Sequence, residues 1–249
     1  MWVDTHCHLQ LSAEEPGPLM DRAHAAGVAW VVAPGTDLAT SVASRDLALA
    51  HPATVVPTAG LHPHDAVRWD AEGDAIADLA AGAAAIGECG LDFYRSLSPP
   101  DVQRKVFRLQ VELATALDKP VIVHCRDAFA DVHAILEETG AGTRAVLHCW
   151  TGGPRWTRRF IDLGVTFSFA GPITFETGET IRLAAAEAPP ERTMVETDTP
   201  YLTPPPHRRE PNEPANVVRV GEALAAVWSI PVAEVARLTT ATAERVFRG

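Results

Sequence analysis

Several features are missing from this 249-residue chain, and each absence removes a class of answer. No stretch of about 20 apolar residues occurs, the length a membrane-spanning helix needs, so no membrane partner is expected. The opening MWVDTHCHL has no basic stretch and no long apolar run, so no secretory signal is expected. Cysteine is scarce. Cys7, Cys89, Cys125 and Cys149 form no CxxC pair, which favours a reducing, cytoplasmic setting over a disulfide scaffold. Cationic residues are also few: 21 Lys and Arg stand against 32 Asp and Glu, a net charge of −11. That balance excludes a broad basic groove for long duplex DNA. It does not exclude one phosphate in a pocket, because bound divalent ions add positive charge where it is needed. No linker, repeat or low-complexity tract interrupts the chain, so residues 1–249 are expected to form one domain.

What is present is an alternation of short β-rich and amphipathic helical runs. Candidate strands begin near Trp2, Val28, Thr54, Ala83, Pro120, Thr143, Val165 and Thr193. Helical patterns lie between them, over Asp37 to Ala50, Asp101 to Asp118 and Asp127 to Thr139, and two more close the chain, Glu213 to Trp228 and Pro231 to Phe247. In Asp101 to Asp118 the residues Val102, Val106, Leu109, Leu113 and Leu117 recur at helical spacing and predict one apolar stripe. Strands alternating with helices imply a parallel sheet. Eight such units in about 250 residues suit an α/β fold of the (β/α)₈ TIM-barrel type. An open doubly wound sheet would want a glycine-rich phosphate loop after its first strand; here the chain reads His6-Cys7-His8-Leu9-Gln10. The proline-rich segment Thr199 to Pro214 reads as one ordered loop on the catalytic side, after the last strand.

The chemistry-bearing residues fall at strand ends: His6 and His8 on the first, Glu88 on the fourth, His124 on the fifth, His148 on the sixth and Asp198 on the eighth. In a (β/α)₈ barrel the C-terminal strand ends form the active-site mouth, so the topology predicts that these distant positions converge. Side chains alternate faces along a strand. His6 and His8 therefore share a face, while Cys7 between them points away. Glu88 with Cys89, His124 with Cys125 and His148 with Cys149 repeat that pattern, which assigns all four thiols to packing between strand and helix. Imidazole nitrogens and carboxylates together suit Zn²⁺, Mn²⁺, Co²⁺ or Fe²⁺, and the carboxylates suit Mg²⁺ as well. Two ions about 3.5–4 Å apart need a bridging ligand. Glu88 is the candidate, because it is the acidic residue that follows the apolar run Ala83 to Gly87, where a carboxylate is costly without a cation.

The motifs Asp4-Thr5-His6-Cys7-His8, Gly60-Leu61-His62-Pro63-His64, Ile86-Gly87-Glu88-Cys89-Gly90-Leu91-Asp92, His124-Cys125-Arg126-Asp127-Ala128, His148-Cys149-Trp150-Thr151-Gly152, Glu196-Thr197-Asp198-Thr199-Pro200-Tyr201-Leu202 and Asn212-Glu213-Pro214-Ala215 resemble the TatD family of metal-dependent deoxyribonucleases. The resemblance runs in order from residue 4 to residue 215. It implies a barrel of the amidohydrolase superfamily that hydrolyses DNA phosphodiester bonds, often from the 3′ end, with DNA, single-stranded or at an end, as partner and no obligate protein partner. It implies two divalent ions per chain, Mg, Mn or Zn. His6 and His8 would hold one, His124 and His148 the other, Glu88 both, and Asp198 would bind metal and orient or deprotonate the attacking water. A glutamate takes the bridging role that carbamylated lysine plays in other amidohydrolases; Lys119 lies at the wrong end of its strand for that. Trp150 and Cys89 depart mildly from the family pattern.

Hydrolysis of a phosphodiester by a metal-activated water then makes Asp198 and Glu88 the catalytic pair. Arg126 shares the inward parity of His124 and suits a phosphate clamp or an internal salt bridge. His62 and His64 face the same mouth and suit phosphate contact or protonation of the leaving oxygen, against a purely structural role. Asp4, Asp92 and Glu196 read as orienting groups behind the ligands. His207, Arg208 and Arg209 form a basic run that reads as solvated surface. Two rival functions use the same centre: hydrolysis of a small ester, amide or lactone, and a non-catalytic metal-stabilised scaffold. Fold and metal do not separate these.

Overall fold

The computed structural model describes residues 1–249. Eight strands form one all-parallel sheet in sequential order: β1 (Trp2–Asp4), β2 (Val28–Ala33), β3 (Val55–Ala59), β4 (Ala85–Asp92), β5 (Val121–Arg126), β6 (Ala145–Leu147), β7 (Thr166–Phe169) and β8 (Thr193–Val195). The sheet curls until its edges meet. Thr5 N–H donates to Val195 O at 3.2 Å, Asp198 N–H donates to His6 O at 2.8 Å, and Cys7 pairs with Thr199 in a parallel bridge. The product is the nearly closed (β/α)₈ barrel that the alternation predicts.

Nine helices surround it: α1 (Pro16–Ala25), α2 (Leu38–Ala50), α3 (Trp69–Gly82), α4 (Pro100–Ala116), α5 (Phe129–Thr139), α6 (Gly153–Asp162), α7 (Glu179–Glu187), α8 (Val217–Trp228) and α9 (Val232–Phe247). Their starts follow local chemistry. At α2 the Asp37 side chain accepts from Thr40 N–H at 2.8 Å and Thr40 Oγ1 accepts from Asp37 N–H at 2.9 Å, a reciprocal cap. No helix is long and apolar enough to cross a membrane.

The barrel interior is layered. Val3, Trp30, Val32, Val56, Ala85, Ile122, Val146 and Met194 fill its N-terminal end, and Ala243 and Phe247 of α9 close it from below. Hydroxyls lie above: Thr5 Oγ1 meets Ser168 Oγ at 3.1 Å, and Thr58 Oγ1 donates to Gly87 O. The polar mouth comes last. A larger apolar cluster, including Cys7, Cys89 and Cys125, packs between strands and helices.

Helix α4 departs from the predicted stripe. Its buried face is Gln103, Val106, Phe107, Gln110, Val111 and Ala114, while Leu109, Leu113 and Leu117 are half-buried. The two glutamines go inside because the strand-end loops offer them backbone partners. Gln103 Oε1 accepts from Asp92 N–H at 2.9 Å, and its Nε2 donates to Ser98 O at 2.8 Å. Gln110 brackets Leu61, accepting from its N–H at 2.8 Å and donating to its O at 3.0 Å. A buried amide so paired loses little on leaving water.

Candidate metal centre

The ligand candidates arrive at the mouth on successive strands. Beyond β1 the chain stays extended, held by Cys7 N–H to Val32 O at 2.9 Å and His8 N–H to Thr199 O at 2.8 Å. That extension carries His6 and His8 inward on one face and sends Cys7 into the outer core. On β4, Gly87 and Gly90 both have φ of +129°, and a Cβ would lie 2.6 Å from Ile122 O at Gly87 and 2.1 Å from His124 O at Gly90. Only glycine fits at either position. The pairing register with β5 shifts between Ile86 and Cys89, and Glu88 at that irregularity turns inward.

Glu88 divides its two oxygens between two groups of imidazoles. Oε2 lies 3.2 Å from His6 Nε2 and 3.6 Å from His8 Nε2. The two ring nitrogens are 3.2 Å apart, and Asp198 Oδ1 is 3.8 Å from the first and 3.5 Å from the second. Oε1 lies 3.0 Å from His124 Nδ1, 3.0 Å from His148 Nε2 and 3.3 Å from His62 Nε2. All six residues named for the metal thus meet in one cluster, and His62 joins them.

Behind the rings stand the carboxylates that aim them. Asp92 Oδ2 is 3.3 Å from His124 Nε2 and 2.8 Å from His64 Nε2. This leaves His124 Nδ1 facing Glu88. Glu196 Oε1 is 3.3 Å from His148 Nδ1 and accepts from Cys149 N–H at 2.7 Å, which leaves His148 Nε2 facing the centre. Partners of this kind fix the tautomer and direction of a ligating imidazole. Asp4 works on backbone instead. It accepts from Thr197 N–H at 2.9 Å, Thr197 Oγ1 at 2.6 Å and His6 N–H at 3.3 Å, tying the first strand to the last. Gln103 holds the Asp92 peptide and Gln110 the loop that carries His62. Neither glutamine was legible as a site-building residue.

The electrostatics follow from crowding charge into a dry place. Burial works against the Glu88 carboxylate, yet His148, His62 and His124 outweigh it and hold its pKa well below the usual range. Asp198 is also lowered: burial opposes its charge, and His8, His6 and His148 prevail. Burial lowers His6 and takes His62 down to about 4. His148 goes the other way: burial opposes its charge, but Glu88 and Glu196 raise it well above its ordinary value.

The donor set fits a divalent cation. Ligand atoms on a tetrahedral ion with bonds of about 2.0–2.1 Å sit about 3.3 Å apart. The His6 and His8 ring nitrogens lie 3.2–3.8 Å from each other, from Asp198 Oδ1 and from Glu88 Oε2, and the donors around Glu88 Oε1 are spaced 3.0–3.3 Å from it. His6, His8 and Asp198 form one potential ligand triad, and His62, Glu88 and His124 another. His6 Nδ1, His8 Nδ1 and Glu196 Oε2 are buried without a protein partner, so the cluster is costly as a purely structural feature.

Other candidates fall elsewhere. His64 stands at the edge on Asp92. Arg126 lies exposed on the rim, its guanidinium 4.1 Å from the Tyr94 ring centroid; that cation–π contact replaces the internal salt bridge considered for it. Lys119 Nζ donates to Ala80 O and Ala81 O at 2.7 Å each, capping α3 far from the centre. His207 pairs with Glu210 at 3.0 Å, and Arg208 covers the Phe175 ring. Cys149 is not packed in the outer core, because the strand ends at Leu147 and Cys149 turns with φ of +44°. Burial pushes all four thiols up, Cys149 included, which leaves none suited to nucleophilic attack.

The profile of the family described as TatD related DNase matches residues 3–248. The chain belongs to that family. It is 36% identical over 254 residues to a Bacillus subtilis (strain 168) protein named uncharacterized metal-dependent hydrolase YabD, covering 100% of this chain and 99% of that one. It is 40% identical over 212 residues to a Citrobacter koseri protein named 3′-5′ ssDNA/RNA exonuclease TatD, covering 81% of each. The crystal structure of YJJV, a TatD homologue from Escherichia coli K12, superposes with a TM-score of 0.89 at 25% identity, covering 100% of this chain and 98% of that chain. The protein is thus a TatD-type metal-dependent hydrolase acting on ester bonds, and its His, Glu and Asp clusters suit a divalent metal.

Proposed function

We propose that this protein is a deoxyribonuclease that removes nucleotides from the 3′ end of DNA, using two divalent ions, Mg, Mn or Zn, divided by Glu88. One observation carries the two-ion reading: the two oxygens of a single buried carboxylate face two separate imidazole groups. The nuclease reading draws on the family and on the exonuclease name of the Citrobacter koseri relative. Four free cysteines fit a cytoplasmic setting.

His6, His8 and Asp198 would hold one ion, and His124 and His148, with His62 beside them, the other. When bound, the ions supply Lewis-acid chemistry, acidifying water and compensating charge on a phosphate. The residues do the rest. Asp198 is the most accessible carboxylate of the cluster, its side chain 15% exposed against 4% for Glu88, 1% for Asp92 and 1% for Glu196. It therefore meets the attacking water, and as an ionised carboxylate it can orient that water or take its proton. Glu88 holds the two groups at a fixed separation. His64, 25% exposed and aimed by Asp92, and Arg126 on the rim provide positive and hydrogen-bonding contacts for the phosphate. His62 has both nitrogens engaged, Nε2 by Glu88 and Nδ1 by His64 N–H at 3.2 Å, which favours a ligand role over substrate contact.

The test is a panel of single-stranded DNA, duplex DNA and simple esters, each assayed with Mg²⁺, Mn²⁺, Zn²⁺ or chelator. Nucleotide release should need metal, and Asp198→Ala should lower kcat/KM by about 10²–10⁴, the range for a lost proton acceptor. Turnover of esters with no action on any DNA overturns the nuclease reading. Bound metal with turnover of nothing leaves the scaffold.

A further inference from the structure

The chain has only two tyrosines. Both stand at the mouth and both are more than half exposed, Tyr94 at 63% and Tyr201 at 54%. Tyr94 lies two residues past Asp92, in the turn after β4. Tyr201 lies three residues past Asp198, in the loop after β8. With the strands in sequential order around the barrel, β4 and β8 are on opposite sides, so the two rings flank the centre. Other exposed apolar side chains lie in loops at the same end: Leu11 after β1, Val67 after β3 and Leu97 after β4.

Each ring is held in place. The Arg126 guanidinium lies 4.1 Å from the Tyr94 centroid, and the carbonyl of Arg126 accepts from Phe93 N–H at 2.9 Å, fixing the turn that presents Tyr94. Tyr201 lies edge-on to His8, ring centroids 6.3 Å apart at 69°. Its loop is pinned by Asn212, whose Nδ2 donates to Tyr201 O at 2.7 Å and to Thr197 O at 3.0 Å. Arg126 covers one face of Tyr94, yet both rings remain more than half exposed, and the apolar surface left in water is a cost that an incoming planar group relieves.

We propose that Tyr94 and Tyr201 are stacking platforms for unpaired bases on either side of the scissile phosphodiester, with Arg126 supplying positive charge beside the Tyr94 base. This rests on the nuclease reading and deepens it. Every base offers a π-face, so such platforms hold a strand without reading its sequence. A paired base has its faces covered by its neighbours in the stack, so the platforms select single strands or frayed ends. They also fit a chain of net charge −11: the strand is gripped by its bases, with few cations needed along its backbone.

The experiment compares metal-loaded wild type, Tyr94→Ala, Tyr201→Ala and the two Phe variants on one single-stranded oligodeoxynucleotide. A second substrate is the same strand with abasic sites at its two 3′-terminal positions. Each Ala variant should lower kcat/KM on the intact strand about tenfold, mostly through KM, and each Phe variant should retain wild-type values. The abasic strand should be poor for wild type and no poorer for the Ala variants. Ala variants that match wild type on the intact strand, or that lose as much on the abasic strand, overturn the platforms while leaving the nuclease in place. A wild-type protein that releases nothing from any strand overturns both.

Discussion

The two ends of the barrel are built from the same strands and do opposite things. On β5, Ile122 points into the apolar plug, and two residues later His124 points into the ligand cluster. On the path of β6, Val146 and His148, just past the strand's end, repeat the pair, and Met194 lies below Glu196 and Asp198 on the path of β8. At the N-terminal end the inward positions bury hydrocarbon against Phe247 of α9, which is favourable at about 25 cal/mol per Å². At the C-terminal end the inward positions bury charge and leave His6 Nδ1, His8 Nδ1 and Glu196 Oε2 without partners. One end holds the molecule together, and the other spends part of that stability on a site that needs a cation.

The largest effect should come from breaking the apolar end. Ile122 is 1% exposed and packs among the plug residues. Ile122→Ala should cost about 2–5 kcal/mol of unfolding free energy, read by denaturant titration, while kcat/KM per folded molecule stays at the wild-type value. Metal affinity falling as steeply as stability would show that the two ends are not separable.

Much of this division was legible because alternation along a strand is a local rule. The rule put His6 and His8 on one face with Cys7 on the other, and parted His124 from Cys125, from sequence alone, and the barrel followed from eight strand-helix units. It failed where the chain leaves regular structure. Cys149 lies past the end of β6 at φ of +44°, so parity could not place it. His62 sits in a loop after β3, where no period exists, and its position at Glu88 Oε1 depends on Gln110 from α4. The α4 stripe is shifted rather than absent: Val106 is buried and Val102, Leu113 and Leu117 pack against the core, but two glutamines share the buried face. Gln103 and Gln110 look like solvent-facing residues until the loops that need their amides are in place.

Sharpening the polar end is a matter of adding the ion. A cation that binds the folded cluster and not the unfolded chain stabilises by about 2.7 kcal/mol at a free concentration 100 times its Kd. Thermal melting should therefore move up with added Mn²⁺ or Zn²⁺ and return with chelator. Glu88→Gln should abolish most of the shift, because it neutralises the carboxylate that both imidazole groups face. An unchanged melting point across the titration would mean that the folded protein already satisfies the cluster internally.

A subtler change should separate holding an ion from aiming the ligand. Glu196 touches neither Glu88 nor the open mouth; its Oε1 takes His148 Nδ1 at 3.3 Å and Cys149 N–H at 2.7 Å. Glu196→Gln keeps the shape and an oxygen for the Cys149 amide, but it removes the charge that favours a proton on His148 Nδ1. His148 then loses its bias toward presenting a bare Nε2 to the centre. Losing an orienting partner of this kind lowers metal affinity about 10–100-fold, so calorimetric titration should show weaker binding of the ion on the His124 and His148 side. The His6 and His8 side should be affected less, although His6 stacks on His148 with centroids 4.0 Å apart. Equal weakening of both ions would mean that Glu196 acts through its charge on the whole cluster rather than through the direction of one ring.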